Sequence, residues 1–331
     1  MHERPLKSET WVTHPWVAEG QRKIRFGLCV ASLKGADWPA FQTFVQRLEA
    51  LGFDSFWKTD HPMNWLDCWT TLAALAVVTT RIRLGSFVSC ASYRQPSLVA
   101  RMSADVDRMS AGRLVLGLGA GDFLWEFEQL GLHLTSPRER QEALEETIQI
   151  VRGVVDQAPF TYKGRHFWVT NATLPFGPVQ QPHLPLLIGG GGERVTLRQV
   201  ARYADMSNFG EHAYVGGAQS TADVRRKLDI LDQHCAVLGR PPESVLRSHA
   251  TYPLMLSSTR AGVEARVGTI PSATRAFVQT SLFAGTPDDA ITYYRALAGA
   301  GIQYFIPVIL GLDEETVELL VDRVIPAVVA P

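Results

Sequence analysis

The chain has 331 residues, enough for one large domain or two ordinary ones, and its 46% hydrophobic and 20% charged residues can build a sizeable core. A formal net charge of −1 gives no reason to expect a nucleic acid or an anionic membrane as a partner. The four cysteines form no C-x-x-C pair, the first residues lack the apolar run of a secretory signal, and no stretch approaches the roughly 20 apolar residues of a membrane helix, so we expect a cytoplasmic protein with free thiols.

Short apolar segments alternate with segments of helical spacing along most of the chain. The pattern predicts strands at 24–31, 53–60, 81–90, 113–121, 186–192, 204–210, 245–256 and 304–310. Helices are predicted at 38–52, 66–80, 95–112, 136–155, 193–203, 221–239, 287–299 and 314–324. Eight strands that alternate with helices favour a parallel sheet closed into a (β/α)8 TIM barrel, and a doubly wound sheet is the alternative.

Three segments depart from this alternation. Residues 1–23 form a polar N-terminal leader, either a tail or an arm for a partner, ahead of a single barrel domain over 24–331. A hairpin and a proline-rich loop are predicted over about 158–185, as an insertion before the fifth strand. An irregular segment over about 257–283 is long enough to form a lid over a site.

Residues 117–121 read Gly-Leu-Gly-Ala-Gly at the end of the fourth predicted strand, on the edge where a barrel enzyme carries its active groups. The dinucleotide pattern G-x-G-x-x-G fails because Asp122 stands where the last glycine is needed, and no Gly-Lys-Ser/Thr of a P-loop follows. Two interpretations remain. Either Gly119, Ala120 and Gly121 leave the backbone bare for a flat ligand, or the glycines serve close helix–strand packing.

A second glycine run, Gly189, Gly190, Gly191 and Gly192, follows the fifth predicted strand and leads into a predicted helix. Unpaired amides at the positive end of a helix dipole favour an anion, so we expect a phosphate site here that Arg194 joins. A flexible turn is the alternative, although four glycines make such a turn entropically costly.

Asp60 and His61 end the second predicted strand and are the clearest candidates for proton transfer, since a nearby carboxylate can set the tautomer of a histidine. The alternative is a turn cap beside an ordinary polar histidine. Trp65 is either core or one wall of a slot for a flat ligand, and Trp125 suggests an aromatic-lined cleft unless it too is core. His249 faces either the barrel mouth or an outer helix. No H-x-H or H-E-x-x-H pattern predicts a metal site.

Several of these segments, among them "GFDSFWKTDH", "RIRLGSFVSCASYRQPSLVARMSADVDRMSAGRLVLGLGAG" and "PLLIGGGGERVTLRQVARYADMSNF", carry a family resemblance that covers most of 24–239. There the chain resembles the bacterial luciferase-like family of flavin and deazaflavin oxidoreductases, in the branch that uses coenzyme F420. The resemblance implies a TIM barrel that holds the coenzyme across its strand ends, with the phosphate on the later loops.

The resemblance also implies roles for individual residues. Asp60 and His61 match an acid–histidine pair beside the deazaflavin ring, and Trp65 matches a tryptophan that lines the pocket in sugar-phosphate members. Phe87 and Val88 fall where the family often has a non-proline cis peptide bond that supports the ring.

Two further positions match less uniformly. Gly119, Ala120 and Gly121 match the bare strand end under the cofactor. Asp122 stands where several members carry a glutamate that acts as an acid, so the shorter side chain leaves that role open.

We therefore expect an F420-dependent oxidoreductase that transfers a hydride between the cofactor C5 and a small organic substrate. His61 would move the proton, Asp60 would position it, and Asp122 is a second candidate acid. A two-component monooxygenase that uses reduced FMN and O2 is the alternative, and a flavin-binding protein without catalysis is a third possibility. The resemblance further implies a homodimer, and a separate flavin or deazaflavin reductase could supply the reduced cofactor.

Overall fold

A computed structural model describes residues 11–31, 37–61, 66–156, 159–212 and 215–330. The strands, numbered in chain order, are β1 Arg25–Ala31, β2 Ser55–Lys58, β3 Arg83–Ser86, β4 Ser89–Cys90, β5 Leu114–Gly119, β6 Phe160–Lys163, β7 Trp168–Ala172, β8 Leu186–Gly189, β9 Met206–Gly210, β10 Leu246–Thr251, β11 Leu254–Leu256, β12 Phe283–Gly285 and β13 Tyr304–Leu310.

The helices are α1 Pro15–Gly20, α2 Trp38–Ala50, α3 Cys68–Val78, α4 Pro96–Met109, α5 Leu124–Gln129, α6 Pro137–Asp156, α7 Thr196–Tyr203, α8 Thr221–Val237, α9 Arg260–Thr269, α10 Ser272–Val278, α11 Pro287–Gly299, α12 Glu314–Leu319 and α13 Ile325–Val329. A 3-10 turn covers Pro242–Ser244, and a π-helical turn over Leu320–Val324 joins α12 to α13. No helix in the described ranges combines the length and the apolar character needed to cross a membrane.

Eight parallel strands close into a barrel. Their order around the barrel is β1-β2-β3-β5-β8-β9-β10-β13, with β13 pairing back to β1. Each of these strands lies within a stretch that the sequence predicts as a strand, so the predicted (β/α)8 TIM barrel is confirmed. The strands are buried along nearly their whole length because helices cover the outer face and side chains fill the interior.

The helices between the strands begin and end at recognisable signals. Helix α11 starts with a capping box, in which Thr286 and Asp289 each accept a hydrogen bond from the other's backbone amide. The side chain of Asp37 caps α2 by accepting from the amide of Ala40 at 2.9 Å. Helix α7 was predicted from residue 193 but begins at Thr196, because the preceding residues form a turn.

The predicted insertion before the fifth barrel strand is present as the antiparallel hairpin of β6 and β7. The prediction of an irregular segment over 257–283 is wrong, since α9 and α10 occupy most of it. The described part of the N-terminal leader is also structured. Trp16 in α1 is 3% exposed and packs edge-to-face on Tyr304 inside the barrel. Helix α1 therefore covers one end of the barrel interior, through contacts that no local pattern in the leader indicates.

Candidate functional site

A cleft of about 880 Å³ lies at the carboxyl ends of the barrel strands. Its lining includes residues that follow β2, β5 and β8, such as His61, Asp122 and Gly190, and residues of β9 itself, such as Asn208. This is the edge at which (β/α)8 enzymes carry their active groups, because the loops after all eight strands meet there.

His61 lies at this cleft and is held by a buried carboxylate. Its Nδ1 is 2.9 Å from both carboxylate oxygens of Glu126, a residue of α5 with no solvent exposure. Tyr93 donates its hydroxyl to Glu126 Oε2 at 2.8 Å. Since an ionised carboxylate only accepts hydrogen bonds, the proton of a neutral His61 lies on Nδ1, and the lone pair lies on Nε2. In the described part of the chain, no residue forms a hydrogen bond with Nε2.

Asp60 has a different role from the one expected of it. Arg94 donates to its two carboxylate oxygens at 2.6 and 3.0 Å, and Ser89 and the backbone amide of Cys90 donate to Oδ2 at 3.0 and 3.2 Å. The carboxylate is fully buried, so these four bonds satisfy a charge that would otherwise be costly. The expectation that Asp60 orients His61 is therefore wrong, because Glu126 does so.

Asp122 lines the cleft beside this pair, as the sequence led us to expect. Burial raises the pKa of Asp122, and the neighbouring Glu126 carboxylate adds to the effect. The His61 side chain acts in the opposite direction. A raised pKa increases the fraction of Asp122 that is protonated and able to donate a proton near neutral pH.

The glycines of 117–121 serve packing and lining at once. A Cβ on Gly117 would lie 2.0 Å from the backbone oxygen of Ser86, and one on Gly119 would lie 2.4 Å from Cγ2 of Val88. The Phe87–Val88 peptide bond is cis, at the position that the resemblance implies. Gly119, with Ala120 and Gly121 after it, still lines the cleft. The two interpretations of this stretch are thus compatible, because the backbone of Ser86 takes the space at Gly117 and the Val88 side chain takes the space at Gly119.

In the second glycine run, too, some glycines line the cleft and another is required by close packing. Gly189, Gly190 and Gly192 line the cleft together with Thr196, the first residue of α7. Gly191 is buried, and a Cβ there would lie 2.2 Å from the backbone oxygen of Gly216. A side chain of α8 holds this loop in place, since Lys227 donates a hydrogen bond to the carbonyl of Gly191 at 2.9 Å.

The remaining predicted residues have varied positions. Arg194 is exposed and is not part of the lining, whereas Trp125 lines the cleft with 47% of its surface exposed.

His249 does not line the cleft. It is buried against the rings of Phe209 and Tyr293, and burial lowers its pKa to about 3. Trp65 lies outside the described residues.

Sequence reasoning missed Glu126, Tyr93 and Arg94. The signal for Glu126 is its place between Trp125 and Phe127, because a carboxylate flanked by aromatic residues on a short helix is a candidate for burial. Its contact with His61 depends on the loop after β5 folding over the end of β2, which no local pattern reveals.

A closed (β/α)8 barrel with a buried carboxylate–histidine pair in a glycine-lined cleft defines the architecture of a TIM-barrel enzyme. The family model described as luciferase-like monooxygenase matches residues 24–304, and the chain belongs to this family.

Two further proteins are similar to this chain in sequence. The chain is 26% identical over 321 residues to the 5,10-methylenetetrahydromethanopterin reductase of Archaeoglobus fulgidus, covering 86% of this chain and 94% of that protein. It is 32% identical over 158 residues to an uncharacterised protein of Mycobacterium tuberculosis. That match spans 46% of this chain and only about half, 52%, of the mycobacterial protein.

Solved structures share the fold. An F420-dependent secondary alcohol dehydrogenase, in complex with an F420–acetone adduct, has a TM-score of 0.77 and 19% identity over 92% of this chain and 99% of its own. The coenzyme F420-dependent tetrahydromethanopterin reductase of Methanopyrus kandleri has a TM-score of 0.75, with the same identity and coverage. A type II Baeyer–Villiger monooxygenase of Pseudomonas putida in complex with FMN has a TM-score of 0.72 and 16% identity, covering 93% of this chain and all of that one.

Proposed function

We propose that the protein is an oxidoreductase that binds coenzyme F420 in the cleft and transfers a hydride between it and a small organic substrate. The observation that carries the proposal is His61 at the cleft, with Nδ1 held by the buried Glu126 and Nε2 without a described partner. Such a histidine can accept or donate one proton in step with a hydride transfer. The named function of the Archaeoglobus relative, a reductase, and the F420-dependent structural neighbours support the same choice.

The cleft fits a large planar coenzyme with a phosphate. Its volume of about 880 Å³ falls within the range of roughly 300–1,000 Å³ common for small-molecule sites. Gly119, Ala120 and Val88 would lie under the ring. Gly190 and Gly192 lie close to the start of α7, where the positive end of the helix dipole favours a phosphate.

The bound coenzyme would supply the carbon that gives or takes the hydride. In the direction of substrate oxidation, Nε2 of His61 accepts the hydroxyl proton, and the imidazolium that forms is stabilised by the Glu126 carboxylate at 2.9 Å. In the reverse direction the same imidazolium donates that proton. Tyr93 holds the carboxylate in place from its other side, and Asp122 is a second proton donor at the lip of the cleft.

A titration of the purified protein with F420 and with FMN tests the proposal. We expect saturable binding of F420 in the micromolar range or tighter, and weaker binding of FMN. The alternative, favoured by the FMN-bound neighbour, is a monooxygenase that uses reduced FMN and O2. Tight FMN binding without F420 binding, together with O2 uptake when a flavin reductase is added, would replace the proposal with that alternative.

A further inference from the structure

Three aromatic side chains meet at the mouth of the cleft, and we call them the aromatic roof: Phe123, Trp125 and Phe277. The ring centroid of Phe123 lies 6.2 Å from that of Trp125 and 5.9 Å from that of Phe277. The Phe123 ring also lies 5.3 Å from that of His61. All three side chains line the cleft, yet Trp125 and Phe277 keep 47% and 49% of their surface exposed.

The aromatic roof joins segments from different parts of the barrel. Phe123 and Trp125 follow β5, whereas Phe277 belongs to α10, which follows β10. Strands β8 and β9 stand between β5 and β10 in the barrel order. The contact between Phe123 and Phe277 therefore joins elements on two sides of the opening. The solvent-exposed apolar surface of Trp125 and Phe277 therefore lies at the opening of the cleft, where a ligand can cover it.

The charges beside His61 are acidic. In the described part of the chain, the carboxylates, histidines and arginines that line the cleft are Asp60, His61, Asp122, Glu126, Arg140 and His212. The ring of His212 packs on Tyr252 with 5.0 Å between the centroids, and burial lowers its pKa, which disfavours its charged form. Asp60 is neutralised by Arg94, and Arg140 donates to the backbone oxygens of Gly121, at 2.9 Å, and of Thr135. A negatively charged group placed next to His61 would thus meet two carboxylates, while the one arginine of the lining already has carbonyl partners.

We propose that the substrate is uncharged and carries an aromatic or cyclic apolar group, which lies under the aromatic roof while its hydroxyl or carbonyl oxygen lies at His61. This inference rests on the proposed function for the role of His61. It adds the substrate class, which follows from the aromatic side chains of α5 and α10 and from the acidic surroundings of the histidine.

A matched pair of probes tests the inference. 1-Phenylethanol and mandelate share the phenyl ring and the secondary hydroxyl and differ in that a carboxylate replaces a methyl group. Binding of both is measured by calorimetry on the protein saturated with whichever coenzyme it binds, or on the free protein if it binds neither. We expect 1-phenylethanol to bind at least about tenfold more tightly than mandelate, because an unpaired anion in a site with two carboxylates loses its hydration without gaining a partner.

Variants connect that difference to the aromatic roof. Phe277→Ser should weaken 1-phenylethanol binding by about five- to tenfold, the order expected for one aromatic contact. Phe277→Leu should restore most of the loss. Trp168→Ser is the matched control, because Trp168 is 75% exposed on β7 and does not line the cleft. Melting temperatures of all variants confirm that each is folded.

The outcomes separate the two proposals. Equal or tighter binding of mandelate, or unchanged 1-phenylethanol binding in Phe277→Ser, overturns the substrate class whichever coenzyme binds. Failure to bind F420, with 1-phenylethanol still preferred and weakened by Phe277→Ser, overturns the proposed function and leaves the apolar site supported.

Discussion

Replacing Glu126 with glutamine removes a negative charge from the centre of the site and leaves the size of the side chain almost unchanged. The carboxylate is buried, its two oxygens both lie 2.9 Å from His61 Nδ1, and one of them accepts the Tyr93 hydroxyl at 2.8 Å. A carboxylate offers two accepting oxygens, whereas an amide offers one. In the Glu126→Gln variant, His61 and Tyr93 therefore compete for one oxygen, and the amide nitrogen can hold His61 in the opposite tautomer.

The size of the effect follows from the bond that is lost. A hydrogen bond to a charged group contributes about 1.5–3 kcal/mol, which corresponds to a loss of roughly 10- to 150-fold in rate if it acts on the imidazolium of the transition state. We expect that loss in the rate of coenzyme reduction under single-turnover conditions, followed by the coenzyme's own absorbance. Affinity for the proposed coenzyme should change by less than about threefold, because Glu126 contacts His61 and not the glycines near α7 that we propose to hold the phosphate.

Glu128→Gln is the matched control, since Glu128 lies on the same helix and is exposed. It should retain the wild-type rate. If Glu126→Gln keeps more than half of the wild-type rate, or loses coenzyme binding in proportion to turnover, the carboxylate does not support proton transfer through His61.

Three further predictions concern buried groups. Burial raises the pKa of Glu211 from 4.5 to about 7, so the folded state holds more protons between these values and its free energy of unfolding falls as the pH rises through them. Urea unfolding should show Glu211→Gln gaining about 3 kcal/mol over wild type from the low to the high end of that range, and a constant difference would contradict this. Asp60→Asn removes the fully buried carboxylate that pairs with Arg94, whose guanidinium keeps only the partly exposed Asp67 as an ionic partner, and should lower the free energy of unfolding by about 3 kcal/mol. Asp105→Asn in an exposed ion pair should cost under about 0.5 kcal/mol, and equal costs would refute the assigned role. Trp16→Ala should cost about 3–4 kcal/mol in the same assay against about 0.5 kcal/mol or less for the exposed Val12→Ala, and similar values for both would mean that α1 does not stabilise the barrel.

The barrel could be predicted because its signals are local. Each strand is a short apolar run, each connecting segment has helical spacing, and their alternation leaves few topologies. The segment over 257–283 has no comparable signal. Helix α9 carries glycines at 262 and 268 and buries only Val263 of its ten residues, so its apolar periodicity is weak. Helix α1 is likewise short, and its burial of Trp16 depends on Tyr304, far away in the sequence.

The location of the site could be predicted from the sequence, but the contacts between its side chains could not. Strand ends of a barrel converge, so His61 and Asp122 could be placed at one edge from the order of elements alone. Which carboxylate contacts His61 depends on how the loops after the strands fold, and no local sequence pattern reveals that. Asp60 is adjacent in the chain, but successive side chains on an extended backbone point to opposite sides. Its carboxylate therefore reaches Arg94, whereas Glu126 reaches the histidine from another element.

The glycine-rich strand end illustrates why a missing side chain is ambiguous in a sequence. A glycine in a sequence indicates that a Cβ is excluded at that position. It does not indicate whether a ligand or the protein itself fills the space. At Gly117 the backbone of Ser86 takes it, and at Gly119 the side chain of Val88 does. Val88 also lies 3.0 Å from the position of a Cβ on Gly189, so one valine is accommodated by glycines of two strands. A flat ligand on this floor would consequently contact Val88 first, and the shape of the floor is set by that side chain as much as by the bare strand ends.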